Sequence, residues 1–80
     1  MQMPTPKTKY ARKLSTIMRD ARTKHATPYT HIQRELRLRG MTIPPQSLKR
    51  IEEGSRKVSV DEAYAILDIL GHDPKEFFNG

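Results

Sequence analysis

The chain has 80 residues, 30% charged and 35% hydrophobic, enough for one small domain that buries about 60% of its unfolded surface, which excludes a second domain. Fifteen Lys and Arg against nine Asp and Glu leave a net charge of +6, which suits a phosphate-rich partner better than an acidic small molecule. The lack of cysteine excludes a disulfide framework and a thiolate zinc site, and no apolar run approaches the ~20 residues of a membrane span or resembles a signal peptide.

In chain order, residues 1–9 hold two prolines, Lys7 and Lys9 and little apolar content, and read as a flexible basic arm ahead of one domain over residues 10–80. Tyr10, Leu14, Ile17, Met18 and Ala21 then recur at spacings of three and four. They predict a first helix with Arg12, Lys13, Arg19 and Arg22 outside its apolar stripe. Thr27-Pro28 reads as an N-cap followed by a first-turn proline. The second helix turns Tyr29, Ile32 and Leu36 inward and stops at Gly40. Pro45 opens a short third helix that Gly54 closes. Ser59 and Glu62 form a capping box ahead of Ala63, Ile66, Leu67 and Leu70, and Asp73-Pro74-Lys75-Glu76 starts a last helix containing Phe77 and Phe78. Five helices and no convincing strand predict an all-α domain.

Charge follows this order. Residues 1–57 hold fourteen basic residues and four acids, a net +10, and residues 58–80 hold one basic residue and five acids, a net −4. The first two-thirds of the chain is therefore expected to face a polyanion and the last third to support it.

Successive residues of a helix turn by about 100°, so Gln46, Lys49, Arg50 and Glu53 share one arc of the third helix while Leu48 and Ile51 point the opposite way. Such a polar face has the chemistry of the DNA major groove, where Arg or Lys donates to guanine and Gln pairs two-pronged with adenine. For an isolated basic amphipathic helix, an ordinary solvated surface is the better explanation of these residues.

The context changes the balance. Ser47-Leu48-Lys49-Arg50-Ile51-Glu52-Glu53-Gly54-Ser55-Arg56-Lys57-Val58-Ser59-Val60, then Ala65-Ile66-Leu67, Leu70-Gly71-His72-Asp73-Pro74 and Phe77-Phe78, resemble the lambda-repressor-like (XRE or Cro-type) helix-turn-helix family. That family shows a recognition helix ending in Arg-Ile-Glu-x-Gly, a basic loop, a serine-capped fourth helix and a Leu-Gly-x-x-Pro-x-x-Phe-like ending. The likeness spans residues 10–78 and is strongest from 47 onward. The chain departs from the pattern between Leu36 and Ile43, where the connection is about one turn longer than usual. With Tyr29-Thr30 opening the second helix and Gly40 before the turn, it looks like an actinobacterial subgroup of XRE-type regulators.

The resemblance implies a compact five-helix DNA-binding domain, with Gln46, Ser47 and Lys49 reading bases and Arg50 on the boundary between base and phosphate. It places Ser55, Arg56 and Lys57 in a loop that clamps the DNA backbone. Tyr29 and Thr30, at the exposed start of the second helix, are phosphate contacts because free N–H groups and the positive dipole end favour an anion. Lys7 and Lys9 add phosphate contacts from the arm. Glu53 is repelled by phosphates; it either accepts from a cytosine amino group or sits at the distal end of the helix, and the second reading is preferred.

His25, His31 and His72 lack metal-ligand spacing, and there is neither a glycine-rich phosphate loop nor a catalytic constellation. No metal, cofactor, small-molecule ligand or enzymatic activity is expected. The function expected is a cytoplasmic transcription regulator that binds double-stranded DNA, in the manner of a small Cro-type or phage-immunity repressor. The alternatives are a protein-binding antitoxin or anti-repressor module and a DNA-remodelling factor such as an excisionase. Because one helix reads only a few base pairs, a weak homodimer on an inverted-repeat operator is expected, with Leu70, Phe77 and Phe78 as the candidate contact; that Phe77 and Phe78 instead close the core of the single chain is a nearly equal alternative.

Overall fold

The structure, a computed structural model, describes the backbone of residues 9–79 and the side chains of residues 11–77. Lys7 lies outside the described residues, as do the side chains of Lys9, Tyr10 and Phe78. Five helices follow one another: α1 (Lys9–Lys24), α2 (Tyr29–Leu38), α3 (Pro45–Glu53), α4 (Val60–Ile69) and α5 (Pro74–Asn79). There is no strand among the described residues, so the chain is all-α. Lys9, expected in the arm, is the first helical residue.

On α1 the stripe forms as its spacing requires, with Leu14, Met18 and Ala21 buried and Ile17 half-buried against them. Beyond Lys24 the backbone reverses through Ala26, whose φ of +52° is a left-handed conformation that an L side chain disfavours. The start of α2 differs from expectation. Pro28 itself takes the extended N-cap conformation and no side chain caps the helix, so Thr27 stands one residue outside it. The Pro28 carbonyl accepts from the His31 and Ile32 N–H groups, which fixes the first helical turn without Thr27.

At the other end of α2, Gly40 has φ +82° and its N–H donates to the Arg37 carbonyl, while the Met41 N–H reaches the Leu36 carbonyl. This pair of bonds is a Schellman closure and needs a left-handed residue at its apex, which glycine supplies without a Cβ penalty. The long connection that follows, residues 39–44, is pinned to the interior. Ile43 is fully buried and Met41 half-buried against the core, so the extra residues are packed, not looped out.

Pro44 caps α3 from an extended conformation, and Pro45 occupies the first turn, where its missing N–H has no role to lose. Gly54, at φ +80°, ends α3 in the same way that Gly40 ends α2. The capping box of α4 is present in full: Ser59 Oγ accepts from the Glu62 N–H at 3.1 Å, and Glu62 Oε1 accepts from the Ser59 N–H at 3.0 Å. Asp73 Oδ1 accepts from the Lys75 N–H at 2.9 Å to start α5.

Leu14, Met18, Ile32, Leu36, Ile43, Leu48, Ile66 and Leu67 form the fully buried centre. Phe77 joins them with only 5% of its surface exposed, and Lys13 Nζ lies 5.1 Å above its ring and donates to its carbonyl. Of the two roles expected for Phe77, dimer contact and core closure, its burial fits the second: its ring closes the core of its own chain. Leu70 is also packed against that core and half-buried.

Candidate nucleic-acid interface

The outward side of α3 carries Gln46, Lys49, Arg50 and Glu53, all exposed, and its inward side carries Leu48 and Ile51, both buried. Ser47 is half-buried at the edge between them. Lys49 and Arg50 make no ion pair among the described residues, so their charge is open to a partner.

What holds this helix is a buried carboxylate. Glu52, 6% exposed, receives two hydrogen bonds from the Arg22 guanidinium of α1, Nε to Oε1 at 2.7 Å and Nη2 to Oε2 at 2.8 Å. The Tyr29 hydroxyl of α2 donates to the same Oε1 at 2.9 Å, and the Arg22 guanidinium stacks 4.3 Å above the Tyr29 ring. Three helices thus meet at one carboxylate, and Ser15 Oγ adds a bond from α1 to the Ile51 carbonyl at 3.1 Å. Two-pronged Arg–carboxylate pairing fixes direction as well as distance, so α3 is set in orientation against α1 and α2. The donated bonds from Arg22 hold the Glu52 carboxyl below its ordinary pKa against the opposing effect of burial. Burial and the bond to Glu52 push the Tyr29 hydroxyl up, and Arg22 is raised by Glu52.

This arrangement sorts the expected phosphate contacts. The Tyr29 hydroxyl is committed to Glu52, so only the Tyr29 backbone N–H remains for an anion. Thr30 is exposed beside it, ahead of His31, the first intrahelical donor. In the loop after α3, Ser55 and Lys57 are exposed, and Ser55 Oγ donates to the Arg50 carbonyl at 3.3 Å. Arg56 is turned inward: its guanidinium lies 3.6 Å from Glu62 at the start of α4, and its Nη1 is buried without a hydrogen-bond partner.

Sequence reasoning missed other basic residues that flank α3. Arg12, Thr16 and Arg19 are exposed on α1 at spacings of four and three, on one wall of a shallow groove of about 470 Å³ whose other wall is Glu52, Glu53 and Gly54. Positive charge from α1 therefore stands next to Glu53, the one acid on the outward side of α3. On α2, Thr30, Arg34 and Arg37 share an exposed ridge of the same spacing. Among the described residues there is no group of His, Cys, Asp or Glu able to hold a metal ion, and no helix long and apolar enough to cross a membrane.

Compared with family models, curated proteins and solved structures, the chain shows no match.

Proposed function

We propose that the chain is a sequence-specific regulator of transcription that binds double-stranded DNA as a helix-turn-helix domain, with α2 and α3 as its two helices. The observation that carries this reading is α3 itself, a helix anchored at Glu52 by two other helices and displaying the side chains of Gln46, Lys49 and Arg50 to solvent without partners among the described residues. Rigid placement matters because base recognition needs donors held in register with base edges, while phosphate contacts fix the docking. In this reading Gln46, Ser47 and Lys49 read bases, Arg50 spans base and phosphate, and Thr30, Ser55, Lys57 and the Tyr29 N–H grip the backbone. A small repressor acting as a weak homodimer on an inverted repeat fits the few base pairs that one such helix can read.

The test is selection of a preferred duplex from a random pool, followed by titration against that duplex and against random DNA. The selected site should bind far more tightly than random DNA. Gln46→Ala should lose about 1 to 3 kcal/mol on the selected site, relax preference at one base position and leave random-sequence binding nearly intact. Equal losses on both duplexes, or failure to enrich any sequence, would refute the reading.

A further inference from the structure

Arg22 and Arg56 are about equally open to solvent, with 33% and 35% of their side chains exposed, and each faces a glutamate, but the two pairs are built differently. Arg22 meets Glu52 through two hydrogen bonds at 2.7 and 2.8 Å. Arg56 Nη2 stops 3.6 Å from Glu62 Oε2, beyond hydrogen-bond reach, and its Nη1 is shut off from solvent without an acceptor among the described residues. A buried donor without a partner is costly, so charge alone holds this guanidinium in a place that leaves Nη1 unsatisfied.

Glu62 has work that does not depend on Arg56. Its Oε1 accepts from the Ser59 N–H at 3.0 Å in the capping box, and it stands in the first turn of α4, where the helix dipole favours negative charge. The carboxylate is therefore supported where it is, with or without the arginine. Arg56 lies in the loop between α3 and α4, flanked by Ser55 and Lys57, both exposed. Its two neighbours face solvent while Arg56 is turned in.

We propose that Glu62 is a positioning residue for this loop, which holds Arg56 against α4 in the free chain and yields its guanidinium to a DNA phosphate on binding. The inference rests on the regulator reading for its ligand, double-stranded DNA. A phosphate takes a guanidinium two-pronged, so the exchange replaces a contact that has no hydrogen bond with two charge-assisted ones and offers Nη1 an acceptor. Glu62 keeps the Ser59 bond and the dipole, so neither charge is left unsupported. The Arg22 pair cannot exchange in this way, because Glu52, only 6% exposed, would be left buried without its counter-ion. One arginine–glutamate pair thus fixes α3, and the other competes with DNA. Removing the competitor should tighten binding.

Glu62→Gln removes the charge and keeps the capping box, which accepts either residue at this position. Asp61→Asn removes the neighbouring acid, which makes no ion pair among the described residues, and so measures the general effect of one negative charge less. In anisotropy titrations against the selected duplex and random DNA, Glu62→Gln should raise affinity about two- to fivefold beyond Asp61→Asn, the worth of an exposed ion pair. The plot of log affinity against log salt should shift without changing slope. Arg56→Gln should lower that slope by about 0.9 and abolish the excess gain from Glu62→Gln, whereas Arg56→Lys should keep the slope. Circular dichroism at the titration temperature checks that each variant is folded. An excess gain that persists in the Arg56→Gln background, or a slope that Arg56→Gln leaves unchanged, would overturn the exchange, while a preferred duplex would leave the regulator reading standing. The same Arg56-dependent gain on random DNA, with no duplex preferred, would instead refute the regulator reading and leave the exchange standing as a contact to any duplex.

Discussion

Replacing Glu52 by Gln isolates the contact that sets α3. The substitution keeps the size of the side chain and removes its charge, leaving the Arg22 guanidinium without a counter-ion and one amide group facing donors on both sides. Breaking a fully buried pair costs about 3–5 kcal/mol, but Arg22 keeps 33% of its side chain in water, so about 2–4 kcal/mol is the consistent expectation. An 80-residue domain has roughly 4–12 kcal/mol in total, so the variant should remain folded at room temperature with its melting temperature lowered by about 10–25 °C. The pH dependence gives a second readout. Glu52 is held below its ordinary value in the folded chain, so its contribution is complete above that ordinary value and is lost as pH falls through the lowered one. Urea unfolding followed by circular dichroism should show the wild type losing its advantage over Glu52→Gln on acidification from about pH 5 downward. A cycle with Arg22→Met should give a coupling of about 1–3 kcal/mol at neutral pH. Coupling indistinguishable from additivity, or a difference between wild type and variant that does not depend on pH, would refute the assignment.

Arg50→Ala should flatten the plot of log affinity against log salt by about 0.9 if Arg50 neutralises one phosphate, whereas an unchanged slope in a filter-binding or anisotropy titration would remove it from the phosphate set. Ala26→Gly should stabilise the fold by about 0.5 kcal/mol, since relief of left-handed strain exceeds the added entropy of an unfolded glycine; thermal melting that shows destabilisation would contradict this. Gly40→Ala should do the reverse, at a cost of about 1–2 kcal/mol measured by urea unfolding. A Cβ there would meet open space, so the penalty is purely conformational.

Most of the helical order is written locally, and local signals carried it. Leu14, Met18 and Ala21 mark α1 by their spacing, Pro45 and Gly54 bound α3, and the Ser59–Glu62 pair starts α4 through bonds made within one turn. Thr27 misled because a proline can serve at the N-cap as well as in the first turn, and the sequence Thr-Pro does not distinguish the two registers. The Arg22–Glu52–Tyr29 cluster was illegible for a different reason. Periodicity assigns charged residues to the outside, while the partner that allows Glu52 inside lies 30 residues away in the chain. One signal did exist. Glu52 is four residues past Leu48 and Arg22 four past Met18, which puts each charged side chain one turn beyond a fully buried residue and on the same face. Phe77 was ambiguous because an apolar residue in a final helix serves a core and an interface equally well until the packing of α5 is known.

The net charge is the sum of two populations with different work, and their separation bears on what the positive surface can do. Lys13, Arg22, Arg39 and Arg56 are engaged within the chain, by the Phe77 carbonyl, Glu52, Asp68 with Glu35, and Glu62 respectively. Each joins elements distant in sequence or steadies a helix start, and the bond to Asp68 raises Arg39 above its ordinary pKa. Arg12, Arg19, Arg34, Arg37, Lys49 and Arg50 are exposed on α1, α2 and α3 and make no ion pair among the described residues. Exposed ion pairs contribute little to stability, so leaving these cations unpaired costs the fold little, whereas each gains by displacing a condensed counter-ion when it meets a phosphate. Two of the five acids of residues 58–80, Asp68 and Glu62, are turned to Arg39 and Arg56 and so do not offset this group. The positive field is thus concentrated on the three helices that Glu52 ties together, and the outward side of α3 is the part of that field where side chains able to read bases are displayed.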